Sequence, residues 1–163
     1  MQVLRSQHET RNGLYTDAER QRRDSSPWTM VQAILAPLQF LVFLISLGLV
    51  LRTLTTGEGL LAANASIVLK TLLLYTIMVT GSLWEKDVFG KYLFAPAFFW
   101  EDAVSFIVIA LHTAYLICLL TGALSETALL VLALVAYAAY VTNAVQFLLK
   151  LRAARLQSAG ALS

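Results

Sequence analysis

Carboxylates set among aromatic rings are the residues of this chain best suited to chemistry. Glu85, Asp87, Glu101 and Asp102, four of its ten acidic residues, fall within WEKDVFGKYLFAPAFFWED, from Trp84 to Asp102. Glu85, Lys86, Asp87 and Lys91 are expected in a short connection between two long apolar runs. Glu101 and Asp102 enter the second run, where an ionisable group is costly and suggests function. Carboxylates gathered with amides make a site that moves protons and orients water. Trp84, Phe98 and Trp100, with Phe89, Tyr92, Phe94 and Phe99, surround them with flat apolar surface suited to a large planar ligand or a headgroup layer.

The elements that must position these groups are membrane spans. Of 163 residues, 58% are hydrophobic and 13% charged, which excludes an ordinary water-soluble domain. A net charge of +2 with no basic stripe gives no reason to expect nucleic acid. Cys118 is the only cysteine, so neither a disulfide framework nor a cysteine metal site is available. No metal-ligand spacing, phosphate loop or nucleophile elbow occurs, and no metal centre is expected. The pattern predicts an all-α membrane protein, a bundle of four transmembrane helices with spans at about 28–54, 60–83, 96–120 and 126–151. Residues 1–26 form a polar arm. Its start, Met1 to Asn12, is expected to be disordered, and Thr16 with Glu19 makes a capping box for a short helix over Asp17 to Asp24, either lying on the membrane surface or simply solvated. Ser26 and Pro27 start the first span, Pro96 the third, Ser125 caps the fourth, and a basic tail covers 152–163. The chain is expected to be kept whole, without a cleaved signal. Lys and Arg cluster on the arm, the 85–91 connection and the tail, against Arg52 alone on the other side, so both termini should be cytoplasmic.

At about 1.5 Å per residue, polar groups sort by depth. Gln32, Ser82, Glu85, Glu101, Asp102, Asn143 and Gln146 share a layer near the cytoplasmic face; Ser46, Lys70, His112 and Tyr137 lie deeper. Gln32, Gln39 and Ser46 recur on one face of the first span, which should point inward. Glu101, Ser105, Val108, His112 and Tyr115 form one stripe on the third. Glu101 is therefore expected inside the bundle, whereas Asp102 is expected to snorkel or pair with Lys86 or Lys91. His112 could ligate the magnesium of a chlorophyll-type ring, or simply bond Tyr137 or a backbone carbonyl. Lys70 is expected to pair with tyrosines or snorkel.

The segments LYTDAERQRRD, WTMVQAILAPLQFLVFLISLGLVLR, TGSLWEKDVFGKYLFAPAFFWEDAVS, ALHTAYL and YVTNAVQFLLKLRAARLQ closely resemble the vinyl bacteriochlorophyllide hydratase family, from about Leu14 to Gln157. That resemblance implies a hydro-lyase of bacteriochlorophyll synthesis, in the cytoplasmic or intracytoplasmic photosynthetic membrane. It adds water to the ring-A (C3) vinyl group of a chlorophyllide, giving a hydroxyethyl group. Water is the co-substrate, no cofactor is required, and the magnesium belongs to the substrate. Such an addition needs a protonated carboxyl to serve the terminal carbon and an ionised one to take a proton from water. Glu101 is the candidate acid with Asp102 next, and Glu85 or Asp87 the candidate base. Lys86, Lys91 or Arg152 could meet the propionate, and Gln32, Asn143 and Gln146 lie at the depth of the reacting edge. The expected partners are the tetrapyrrole and lipid, with a homo-oligomer or other pigment-synthesis enzymes as further contacts. A non-catalytic pigment carrier, and a transporter using Lys70, Glu101 and His112 as a relay, are the competing readings.

Overall fold

The computed structural model describes residues 13–161; the expectation for Met1 to Asn12 lies outside the described residues. Among the described residues five helices follow one another: α1 (Asp17–Ser25), α2 (Pro27–Thr56), α3 (Leu60–Phe89), α4 (Phe99–Thr121) and α5 (Glu126–Ala161). The last four are each long and apolar enough to cross a membrane. This is the composition and architecture of a multi-pass membrane protein.

Local sequence sets most of the helix ends. Thr16 accepts the Glu19 N–H at 3.2 Å while the Glu19 carboxylate accepts the Thr16 N–H at 2.8 Å, so the capping box forms as its residues predict. Ser26 accepts from Trp28 N–H ahead of Pro27, and Ser125 accepts from Ala128 N–H, starting α2 and α5. Gly57, Gly90 and Gly122 end α2, α3 and α4 in the left-handed conformation that glycine adopts without strain.

Three boundaries depart from expectation. α3 does not stop near residue 83 but continues to Phe89, so Glu85, Lys86 and Asp87 are helical and only Lys91 lies in the connection. The physical reason is Gly90, the first residue after Leu83 to take the left-handed conformation, closed by its N–H to Lys86 O. α4 begins at Phe99 rather than at Pro96, because tertiary bonds hold the backbone of 94–97 away from helix geometry. α5 runs on to Ala161, absorbing the expected tail into one long helix.

α2 packs on α3 and α4 on α5 as two close hairpins; α3 with α4 and α2 with α5 complete the ring, an up-and-down bundle. Phe43, Val50, Ala63, Ile67, Leu74, Val108, Tyr115, Ala133 and Tyr137 form its interior. Small residues such as Ala63 and Ala133 allow close approach where no hydrophobic force separates helix from lipid. α1 packs across the end of α3, where the Arg22 guanidinium donates to Val88 O at 2.9 Å, one of the carbonyls a helix end leaves open.

Candidate functional site

The extension of α3 brings Glu85 against the start of α4. Glu85 and Asp102 are 4% and 5% exposed, and their carboxyls lie side by side, close enough to share a hydrogen bond. Two fully ionised carboxylates have no donor between them, so a hydrogen bond here would need one of the two to hold a proton. Each also accepts a backbone N–H from the 91–98 connection: Ala95 to Glu85 Oε1 at 2.7 Å and Phe94 to Asp102 Oδ2 at 2.8 Å. Phe94 has φ +59°, a left-handed conformation that an aromatic residue adopts only under constraint. That turn aims two successive N–H groups at the carboxyl pair, as in an anion-binding nest. Asp102 thus does not snorkel or pair with Lys86 or Lys91; it is drawn inward by Glu85 and by the backbone of its own connection.

Glu101, next to Asp102 in the same turn, has a separate set of partners. Its Oε2 accepts from Lys150 Nζ of α5 at 2.8 Å, and Lys150 also donates to Ala97 O. Its backbone carbonyl accepts from Asn143 Nδ2 at 2.9 Å and from Ser105 Oγ at 2.8 Å, and Ser105 bonds Asn143 Oδ1 at 3.0 Å. Gln146 is the next partner of Asn143, at 3.4 Å. Glu101, Asp102, Ser105, Val108, His112 and Tyr115 are the buried residues of α4, so the interior stripe expected from the sequence is the face that turns inward. Glu101 and Asp102 also sit in its first turn, where a carboxylate meets the positive end of the helix dipole.

The remaining candidates divide. Asp87 lies two residues beyond Glu85, on the other side of α3, where Ser26 Oγ donates to it at 2.7 Å; it is not brought to the carboxyl pair. Gln32 bonds Thr80 at 2.7 Å, linking α2 to α3. Lys86 donates to Gly90 O at 3.1 Å and stands 5.3 Å from the Tyr92 ring, while Lys91 and Arg152 are exposed. His112 is fully enclosed, with Nδ1 2.8 Å from Val108 O, so a substrate magnesium meets Nε2 only if the helices part. Lys70 is buried over the Tyr140 ring, in keeping with tyrosine pairing.

The aromatics form two groups. Trp84, Phe89, Phe98, Phe147 and Tyr15 pack inward, with Trp84 Nε1 donating to Thr29 and Phe98 only 3% exposed. Burial pushes the Tyr15 phenol above its ordinary value, with the Arg23 guanidinium over its ring pulling the other way. Phe94, Phe99, Trp100 and Phe106 instead form an outward chain of rings, each about one ring spacing from the next; Trp100 is 71% exposed. This outer chain adjoins the Phe94 N–H that Asp102 holds. Lys150 and the backbone of Phe94 and Ala95 are the participants that sequence reasoning passed over. Lys150 lies close enough in depth to Glu101 to have been found by the same layer argument.

With this geometry the chain can be set beside known proteins. A protein-family model described as 2-vinyl bacteriochlorophyllide hydratase (BCHF) matches residues 15–153. A protein named 2-vinyl bacteriochlorophyllide hydratase from Rhodobacter capsulatus is 67% identical over 153 residues, 94% of this chain and 89% of that protein. One of the same name from Cereibacter sphaeroides is 68% identical over 143 residues, 88% of this chain and 89% of its own length. No solved structure matches.

Proposed function

The chain belongs to the 2-vinyl bacteriochlorophyllide hydratase family, and we propose that it hydrates the ring-A vinyl group of a bacteriochlorophyllide by using the proton held between Glu85 and Asp102. It is a hydro-lyase of bacteriochlorophyll biosynthesis. The observation that carries the residue assignment is the contact between these two buried carboxyls.

The proton passes from the pair to the terminal vinyl carbon, because the cation then forms beside the macrocycle and is delocalised into it. Water attacks the inner carbon, and the proton it releases goes to a carboxylate. Glu101 is the proposed base: as the negative member of an ion pair with Lys150 it has no proton to give and a lone pair to offer. This reverses the expectation that Glu101 donates, and the reason is Lys150. One hydrogen and one hydroxyl are added, no electrons are transferred, and transfer from Glu101 back to the pair restores the starting state. The ionised pair and Glu101 together stabilise the cation electrostatically in a site shielded from bulk solvent.

The macrocycle is proposed to lie on Phe94, Phe99, Trp100 and Phe106, reaching this shelf laterally from the lipid, with the vinyl group directed past Phe94 toward Asp102. Lys86 or Lys91 would meet the propionate at the membrane edge. Both termini and the 91–98 connection are proposed to face the cytoplasm, in the photosynthetic membrane of a bacterium, on the distribution of Lys and Arg.

Turnover tests the whole reading. Purified protein mixed with a vinyl bacteriochlorophyllide should shift the long-wavelength band to the blue and yield a product heavier by one water. Pigment binding without that mass gain would instead support a carrier.

A further inference from the structure

At mid-depth in the bundle, well away from the carboxyl pair, three buried polar atoms have no hydrogen-bond partner among the described residues: Gln39 Oε1 of α2, Lys70 Nζ of α3 and His112 Nε2 of α4. Gln39 is 3% exposed; Lys70 and His112 are completely buried. α5 completes the surroundings. Its Tyr140 ring lies 3.4 Å from Lys70 Nζ and its hydroxyl lies beside the Gln39 side chain, while the Tyr137 ring is 5.8 Å from the imidazole. Phe43 touches both tyrosines, and Lys70 and His112 interact electrostatically. Each of the four spanning helices therefore contributes to one locus.

Bulk water does not reach such a place, and a polar group left there without a partner is costly. The types of the three atoms decide what fits. A carbonyl only accepts, so His112 Nδ1, 2.8 Å from Val108 O, carries the hydrogen and Nε2 of the neutral ring presents a lone pair. Gln39 Oε1 also presents lone pairs, and Lys70 Nζ donates. An anion would be repelled by the two acceptors and a metal cation by the lysine. Water matches all three, giving its hydrogens to Nε2 and Oε1 and accepting from Nζ.

We infer that Gln39, Lys70 and His112 hold a water molecule at the bundle midplane, where it ties the α2–α3 hairpin to the α4–α5 hairpin. The two hairpins touch each other less extensively than the helices within each hairpin do, so a polar site on their seam fixes the register between them. His112 Nε2 is then occupied as an acceptor, which leaves it unavailable to an external metal.

Solid-state NMR on the full chain labelled with 15N-histidine and 15N-lysine, in deuterated lipid, tests this directly. The His112 signal, assigned by its loss in His112→Phe, should show magnetisation transfer from water to Nε2, and that transfer should disappear in Lys70→Met and in Gln39→Leu. Absence of water contact in the unaltered protein, or direct Nζ to Nε2 coupling, would overturn the proposal. Unfolding midpoints give a second readout. Each single substitution should lower the midpoint, and the triple Gln39→Leu, Lys70→Met, His112→Phe protein should recover part of the loss, because no atom is left unpaired. Additive losses would mean that the three side chains share no ligand. Should the variants fail to fold, His112 is assigned in the unaltered protein by its through-space contact with Val108, and the water contact there still decides.

Discussion

The proton proposed to be shared by Glu85 and Asp102 would belong to neither residue alone, so removing either carboxyl should remove the same reactive unit. Asp102→Asn and Glu85→Gln are each expected to lower turnover by about 10² or more, while a bound pigment still shows its absorbance change. The double variant should be little worse than either single one, since groups acting as a unit are not additive. Multiplicative losses, measured as initial rates of hydration on folded protein, would mean that the two carboxyls act separately. Glu101→Gln should also cost about 10², because the amide has no basic oxygen for the proton of water. Asp87→Asn should leave turnover near normal, since that carboxylate faces Ser26 and not the pair. Near-normal hydration by Glu101→Gln would reassign the base. At this scale the stripe from Glu101 to Tyr115 was legible because a helix repeats every 3.6 residues and the buried positions keep that repeat. The Glu85 to Asp102 contact was not, because it needs α3 to continue past residue 83 and the connection to fold back, neither of which periodicity reports.

Helix ends were readable wherever a side chain caps them. Thr16 with Glu19, Ser26 with Pro27, and Ser125 carry their own signals, and each stands where it was expected. The end of α3 and the start of α4 were misjudged because charged residues suggested a loop and Pro96 suggested a helix start, whereas tertiary bonds decide both. Phe98 caps α4 without a side-chain hydrogen bond, and Ala97, Ala95 and Phe94 spend their backbone groups on Lys150, Glu85 and Asp102. Lys150 therefore holds the connection as well as Glu101. Lys150→Met should loosen residues 91–98, read as faster amide exchange at Phe94 and Ala95, and should lower turnover in parallel. Unchanged exchange with lowered turnover would confine Lys150 to the chemistry. The arm is a separate case: Thr16→Ala removes the capping box and should destabilise α1 by about 1 kcal/mol. Limited proteolysis should then cut the arm faster while hydration proceeds at its usual rate, because α1 contributes no residue to the carboxyl site.

Taken as a whole, the molecule gathers most of its basic residues at one end. α1, the 91–98 connection and the last turns of α5 lie together, with Arg20, Arg22, Arg23, Lys86, Lys91, Lys150, Arg152 and Arg155, whereas among the described residues the 57–59 and 122–125 turns at the other end adjoin Arg52 as their one basic residue. Four apolar runs already implied a bundle, since in lipid every backbone group must be satisfied internally. How the helices pair was beyond them, because lipid-facing and core-facing positions are almost equally apolar. The basic end should stay on the cytoplasmic side. Glu58→Cys and Lys91→Cys, both at exposed positions, can be made separately in a Cys118→Ser background and treated in intact cells with an impermeant thiol reagent. Labelling is expected at position 58 and at position 91 only after the cells are opened. Labelling of intact cells at 91 alone would invert the bundle, turn the carboxyl pair and the aromatic shelf toward the opposite leaflet, and exclude delivery of the pigment from the cytoplasmic side.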